Sequence, residues 1–123
     1  MRKIEQQLTR TVDKCLNGKF TISFRKRLSK RDVIDYNHED SQVTVFLWNS
    51  PIVKVDIKER RMIVQSCGHQ TNTTKSRLNS FSLFFDPKRR GIIQKNWEWY
   101  VTAIDPLLGI PKLLNFNGKY EFQ

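Results

Sequence analysis

Between residues 42 and 65 apolar and polar side chains alternate with a period of two, and this pattern constrains the fold more than any other. Residues 42–48 are largely apolar on both faces, which predicts a central strand. Residues 53–58 alternate valine or isoleucine with charged residues, which predicts a strand with one buried face. Residues 62–65 resume the pattern after the polar break 58–61. The last two runs therefore predict a hairpin with a basic turn.

A helical period replaces the strand period near the N-terminus. Over residues 3–16 the apolar side chains form one stripe: Ile4, Leu8, Val12, Cys15 and Leu16. This spacing predicts an amphipathic helix. Asn17-Gly18 follows it, and glycine suits the position just past a helix end because it reaches left-handed dihedrals without a steric cost.

A second, short helix is predicted over residues 73–85, where Leu78, Phe81 and Phe85 fall at i, i+3 and i+7. Threonine and asparagine side chains at its start offer oxygens that cap the first free amides. Asp86-Pro87 ends it, because a residue before proline disfavours the helical conformation.

The other segments are predicted to be mainly extended. Phe20, Ile22 and Phe24 share one face of an extended run, and residues 33–36 form a short β-prone run. Strands are expected at 92–94 and 97–104. The closing stretch, interrupted by Pro111 and Gly118, is expected to cross the core irregularly through Leu113, Leu114 and Phe116.

These segments predict one α+β domain over residues 1–123. Its antiparallel sheet has about five to six strands and packs with one or two short helices. The N-terminal helix occupies about residues 3–16, and the core that bears the motif described below occupies about residues 40–118. A chain of this length buries roughly two thirds of its unfolded surface, which suits a single domain.

The sequence composition indicates where in the cell the protein is expected. No run approaches the roughly 20 apolar residues that span a bilayer, and residues 1–6 lack the apolar stretch of a signal peptide. We therefore expect a cytoplasmic protein without membrane contact. Cys15 and Cys67 are expected to remain thiols there.

The formal charge of +10 points to polyanions as partners. A strongly positive surface concentrates polyanions, and neutralising phosphates releases condensed counterions. Nucleic acid is the expected partner. An acidic host protein and a role in solubility alone are the alternatives.

The expected contacts are basic side chains in loops and at helix ends, near the groups 25–31, 58–61, 75–77 and 88–90. The predicted nucleic-acid-binding residues are Arg25, Lys26, Arg27, Lys75, Arg77, Lys88, Arg89 and Arg90. Aromatic side chains could stack on unpaired bases or lie in the core, and these are Trp48, Trp97, Trp99 and Tyr100.

The segment Gly68–Asn79 combines a glycine turn, three threonines and a helix start. Thr73 and Thr74, next to Lys75 and Arg77, are candidate phosphate-binding residues because a helix start presents amide and hydroxyl donors. The alternative is that the threonines only cap the helix and that Arg77 pairs with a carboxylate.

No catalytic or metal-binding constellation is visible. His69-Gln70-Thr71 is a single His-x-Thr pair, whereas phosphoesterases of that class need a second copy. The cysteines and histidines lack the spacing of a zinc site. We expect a protein that is not an enzyme and that uses no cofactor.

The threonine-rich segment resembles a pattern in small proteins of tailed phages, Gly-x-x-Thr-x-Thr-Thr-Lys/Arg-x-Arg-Leu/Ile/Met-Asn. The matching positions are Gly68, Thr71, Thr73, Thr74, Lys75, Arg77, Leu78 and Asn79, followed by Trp99-Tyr100-Val101 and by Phe116 and Gly118. His69 stands where relatives commonly have tryptophan, and the basic N-terminal part departs from their pattern. The resemblance implies phage origin and a shared fold, without a defined activity.

The leading functional hypothesis is a phage accessory protein that binds nucleic acid non-catalytically in the host bacterial cytoplasm. The alternative is a host-takeover or anti-defence inhibitor that binds a bacterial protein. A minor structural component of the virion is a third option. Single-stranded DNA, duplex DNA and RNA all remain open as targets.

Overall fold

The computed structural model describes residues 2–86, 91–95, 98–104 and 107–122. These ranges form two helices, α1 (Lys3–Leu16) and α2 (Asn72–Phe85). The strands in chain order are β1 (Phe24–Arg27), β2 (Asp32–Asn37), β3 (Gln42–Leu47), β4 (Ser50–Asp56), β5 (Arg61–Gln65), β6 (Gly91–Lys95), β7 (Glu98–Ile104), β8 (Pro111–Asn115) and β9 (Lys119–Phe122). The α+β class is confirmed.

Six strands form the larger sheet, in the order β1-β2-β3-β4-β5-β9, and each neighbouring pair is antiparallel. The predicted strand at residues 42–48 is internal in this sheet, although it ends at Leu47. Strands β6, β7 and β8 form a second, three-stranded antiparallel sheet. We call one end of the larger sheet the Trp48 end. There β1, β3 and β5 finish and β2, β4 and β9 begin.

The helices cover one face of the larger sheet. Side chains on alternate positions of its strands are buried there, among them Val45, Val53 and Met62. Helix α1 contributes its predicted apolar stripe, in which Leu8 and Val12 are fully buried. The apolar side chains of the strands and of α1 therefore pack in one core. A sheet and a helix that are each apolar on one side are stable when those sides cover each other.

Helix α2 lies against α1, β4, β5 and β6, so it is enclosed by both sheets. This position explains why small polar side chains are buried on it. The Ser80 hydroxyl donates to the Ser76 carbonyl at 3.0 Å, and the Ser82 hydroxyl donates to the Leu78 carbonyl at 2.8 Å. Each hydroxyl is satisfied within the helix, and small side chains allow the neighbouring elements to approach closely.

Gly91, the first residue of β6, lies against α2. The Asn79 side-chain oxygen accepts the backbone N–H of Ile92, which joins the helix to β6. Gly91 has a φ of 92°, and a Cβ atom built there would lie 2.6 Å from the same Asn79 oxygen. The backbone at this position therefore favours glycine, and a Cβ atom would displace the Asn79 side chain that bonds Ile92.

Two predictions of local structure are wrong. The closing stretch is not irregular, because β8 completes the small sheet and β9 extends the large one beside β5. The residues Phe20, Ile22 and Phe24 do not share a buried face: Ile22 is 73% exposed, while the Phe20 and Phe24 rings pack on each other at 4.8 Å. The local sequence shows neither the strands that pair with β8 and β9 nor the contacts that leave Ile22 exposed.

Candidate nucleic-acid interface

Arg77 forms the centre of a buried ionic cluster that joins three elements. Its Nε and Nη2 atoms donate to the two carboxylate oxygens of Asp32 at 2.8 and 3.1 Å, and Nη1 donates to Glu5 Oε2 at 2.9 Å. All three side chains are 1% exposed. The prediction that Arg77 contacts nucleic acid is therefore wrong, because it has no access to solvent and its donors already bind carboxylates.

The pKa values of the cluster follow from its hydrogen bonds. Burial alone would raise the pKa of Glu5, but the Ser76 hydroxyl and the Arg77 guanidinium stabilise the carboxylate and hold its pKa below the ordinary value. Burial alone would lower the pKa of Arg77, and the bonds to Asp32 and Glu5 more than compensate and raise it. Glu5 and Arg77 therefore keep their charges in the core, as a buried ion pair requires.

The same Asp32 carboxylate shapes the basic turn at residues 28–31. The Ser29 hydroxyl donates to Asp32 Oδ2 at 2.6 Å and accepts the backbone N–H of Arg31 at 3.1 Å. Arg27 Nη1 donates to the Lys30 carbonyl at 2.8 Å. The turn that presents Lys30 and Arg31 to solvent is consequently anchored to the buried cluster.

Among the described residues, several cationic side chains gather at the Trp48 end. Arg27 and Lys119 occupy strand ends, Lys30 and Arg31 occupy the turn between β1 and β2, and Arg2 and Lys75 line one groove between the starts of α1 and α2. Within the described helices and larger sheet, the carboxylates at this end are Glu5 and Asp32, both bound by Arg77. The solvent-facing charge there is consequently positive.

The opposite end of the larger sheet has mixed charge. Its two turns, 38–41 and 57–60, carry Glu39, Asp40 and Glu59 beside Lys58 and Arg60. At the start of β5 the Arg61 guanidinium pairs with Asp56 and Glu121 at 4.0 and 3.8 Å. The cations of the predicted group 58–61 therefore have carboxylates beside them and lie at the end of the sheet opposite the turn that holds Lys30 and Arg31.

The threonines at the start of α2 act mainly as a cap. Thr71 Oγ1 accepts the Thr74 backbone N–H at 3.1 Å, and the two hydroxyls lie 3.0 Å apart. Thr74 is buried, so it is not available to a phosphate. Thr73 is half-buried and lines a cleft beside Trp48. The capping alternative therefore describes Thr71 and Thr74, whereas Thr73 remains a candidate contact.

The cleft beside Trp48 has a volume of about 380 Å³. Leu47, Trp48 and Ile52 supply apolar lining, and polar groups come from side chains that include His69, Thr71 and Thr73. Trp48 is 64% exposed, and its backbone N–H donates to the Arg31 carbonyl at 2.8 Å. An aromatic ring, a cleft and the basic turn thus adjoin at one place.

The other aromatic candidates differ from Trp48. Trp99 is buried and packs on Phe116 with ring centroids 6.0 Å apart, so it belongs to the core. Tyr100 is half-buried, and its hydroxyl donates to Glu98, which raises the pKa of the phenol. Trp97 lies outside the described residues. Among the predicted stacking residues in the described part of the chain, Trp48 is the one that lies exposed beside cations.

The other predicted basic contacts do not lie together at the Trp48 end in the described part of the chain. Arg25 lies on the uncovered face of the sheet, where its Nη1 atom is 3.2 Å from Asp35 Oδ2. Its guanidinium carbon lies 5.0 Å from the centre of the Phe46 ring. Lys26 points to the other side of the edge strand, because successive side chains of a strand alternate. Lys88, Arg89 and Arg90 lie outside the described residues. The structure adds Arg2 and Lys119, which no local sequence signal marks.

The fold, two helices against a six-stranded antiparallel sheet with a second small sheet, defines an α+β protein with a basic end. The chain belongs to the Kyanoviridae Gp96 protein family, whose sequence model matches residues 1–122. It is accordingly a phage protein, as the resemblance implied. The match begins at residue 1, so it includes the basic N-terminal part.

No curated protein and no solved structure matches the chain. Within the described residues, neither helix is long and apolar enough to cross a membrane. In the same part of the chain, no group of three or more His, Cys, Asp or Glu side chains is placed to hold a metal ion.

Proposed function

We propose that this phage protein binds nucleic acid non-catalytically through the Trp48 end, as an accessory protein in the cytoplasm of the infected cell. The observation that carries the proposal is the separation of charge along the sheet. Cations gather at the Trp48 end, and the two carboxylates there are buried and bound by Arg77. A polyanion approaching this end meets positive charge without exposed carboxylates from the same elements.

The charge balance of the whole chain supports the same conclusion. It carries 22 lysines and arginines and 12 aspartates and glutamates, and setting aside Arg77, Glu5 and Asp32 leaves 21 cations and 10 anions. The residues outside the buried cluster therefore keep a large net positive charge. Each phosphate neutralised by a surface cation releases condensed counterions, which makes binding favourable at low salt and weaker as salt rises.

Fluorescence anisotropy of labelled single-stranded DNA, duplex DNA and RNA tests the proposal. The full chain is expected to bind at least one of these probes with micromolar or tighter affinity at low salt. The logarithm of the affinity should fall linearly with the logarithm of salt concentration, with a slope set by the number of neutralised phosphates. Absence of binding to every probe at low salt would overturn the proposal.

A second candidate function, inhibition of a bacterial host protein, is favoured by one feature of the small sheet. The connection between β7 and β8 exposes Leu107, Leu108 and Ile110 at 93%, 69% and 54%. Adjacent exposed apolar side chains are typical of protein-binding surfaces. A pull-down from host lysate treated with nuclease, comparing the natural chain with Leu107→Asp, separates the candidates. A host protein that the natural chain retains and the variant loses would favour inhibition.

A further inference from the structure

We propose that the cleft beside Trp48 receives one unpaired base of the bound strand, stacked on the Trp48 indole. This inference rests on the proposed function and specifies its ligand as single-stranded nucleic acid. Ligand pockets commonly measure about 300–1,000 Å³, so a cleft of about 380 Å³ suits a small planar group. A base inside a duplex presents no free ring face to such a cleft, whereas an unpaired base does.

The backbone at Trp48 is the second observation. Trp48 and Asn49 form the two-residue turn between the paired residues Leu47 and Ser50, and their φ angles are 51° and 66°. Two successive positive φ angles are typical of a type I′ hairpin turn, which favours asparagine or glycine. Tryptophan is a strained choice at such a position. A bulky ring held exposed against its backbone preference is consistent with a functional role.

The chemistry around the indole fits a base without demanding one sequence. Stacking on an aromatic ring is available to every base because each has a π-face. The Thr73 hydroxyl and the His69 imidazole line the same cleft and can donate or accept hydrogen bonds at a base edge. The exposed side chains of Lys30 and Arg31, in the turn bonded to Trp48, are placed to contact the adjoining phosphates.

The test compares a short labelled oligothymidylate with an abasic strand of the same length. The natural chain should bind oligothymidylate roughly 5- to 150-fold more tightly than the abasic strand, which corresponds to one stacked base. Trp48→Ala should bind both strands equally and match the natural chain on the abasic strand. Ile22→Ala removes another exposed apolar side chain, far from the cleft, and should keep the preference.

A second variant uses the strained turn. Trp48→Asn places a favoured residue at the positive φ angle, so the midpoint of thermal unfolding should rise while the preference for bases disappears. Trp48→Phe keeps a ring and should retain part of the preference.

The outcomes separate the two proposals. If the natural chain binds neither strand and no duplex or RNA, the proposed function itself fails. If it binds both strands equally, or if Trp48→Ala keeps the full preference, the cleft does not receive a base and binding through the cations still stands.

Discussion

Arg77 donates from Nε to Asp32 Oδ1 at 2.8 Å, although 45 residues separate the two in the sequence. The same guanidinium reaches Glu5, 72 residues away, so one side chain ties α2 to α1 and to the start of β2. Since Asp32 also anchors the basic turn through Ser29, the buried cluster positions cations that it does not itself contain. Arg77 thus contributes to the proposed interface from within the core.

Removing Arg77 should greatly lower the free energy of unfolding of the domain. Arg77→Met leaves Glu5 and Asp32 buried without their cation, and breaking a buried pair in this way costs about 3–5 kcal/mol. Urea denaturation of the variant should show a loss in the free energy of unfolding of this size. Lys75→Met, on the same helix but outside the cluster, should change it by only about 0.5 kcal/mol. Equal losses in the two variants would refute the role of the cluster.

Stability should fall in acid partly because of Glu5. The pKa of Glu5 is lower in the folded than in the unfolded state, so the folded state binds fewer protons. Its contribution is complete above the unfolded pKa of about 4.3 and is lost as the pH falls through the lower folded pKa. Glu5→Gln should therefore be less stable than the natural chain at neutral pH, and the gap should narrow in acid.

Urea midpoints measured from neutral pH to about pH 3 check this expectation, because that range spans the unfolded pKa of glutamate. Arg77, which faces Glu5, stays charged throughout this range because its pKa is raised. A gap between Glu5→Gln and the natural chain that does not change with pH would show that Glu5 does not titrate as described.

Replacing Gly91 should be more harmful than replacing another glycine with positive φ. Gly91→Ala and Gly18→Ala both place a Cβ on a left-handed backbone, at φ angles of 92° and 68°. Only at Gly91 does the new atom meet a neighbour, the Asn79 oxygen at 2.6 Å, whereas Gly18 has open space. This contact should lower the free energy of unfolding of Gly91→Ala by about 1–3 kcal/mol more than that of Gly18→Ala. Thermal or urea unfolding measures the difference. Similar losses at both sites would contradict the close approach of α2 and β6.

Much of the architecture could be predicted from sequence, because period-two alternation and a helical stripe are local signals. Helix α1 and the strands β3, β4 and β5 follow directly from residues 3–16 and 42–65. Strand β9 could not be predicted in the same way. Lys119–Phe122 is short and becomes a strand by pairing with β5, more than 50 residues earlier in the chain. Pairing of that kind depends on tertiary context, which local propensity does not encode.

The candidate site was predictable only in part. The basic segment 25–31 and the possible stacking role of Trp48 follow from residue type. The sequence leaves open whether Arg77 contacts a phosphate or pairs with a carboxylate, because a cation at a helix start suits both until its partners are known. Glu5 and Asp32 lie in other elements, and nothing in their spacing indicates that they meet. The sequence marks which side chains carry charge, and the fold decides which of them reach solvent.

The two cysteines should differ in reactivity. Cys15 is buried in the core, and burial raises the pKa of its thiol to about 11. Cys67 is exposed, although desolvation still raises its pKa and slows its reaction. Because the thiolate is the reactive form, a thiol reagent near neutral pH should modify one cysteine in the native protein and two in denaturant. Cys67→Ser should leave no reactive thiol until unfolding, and rapid modification of that variant would contradict the buried position of Cys15.

Two charge-reversal variants test the central claim most directly, because they change the net charge equally at opposite ends of the sheet. One carries Lys30→Glu with Arg31→Glu at the Trp48 end, and the other carries Lys58→Glu with Arg60→Glu at the opposite end. All four side chains are exposed, so both proteins should fold. The measurement is the dependence of nucleic-acid affinity on salt concentration. The first variant should bind at least about tenfold more weakly than the second, with a slope smaller by roughly one to two. Equal weakening in both would show that binding follows net charge alone and that the Trp48 end is not the interface.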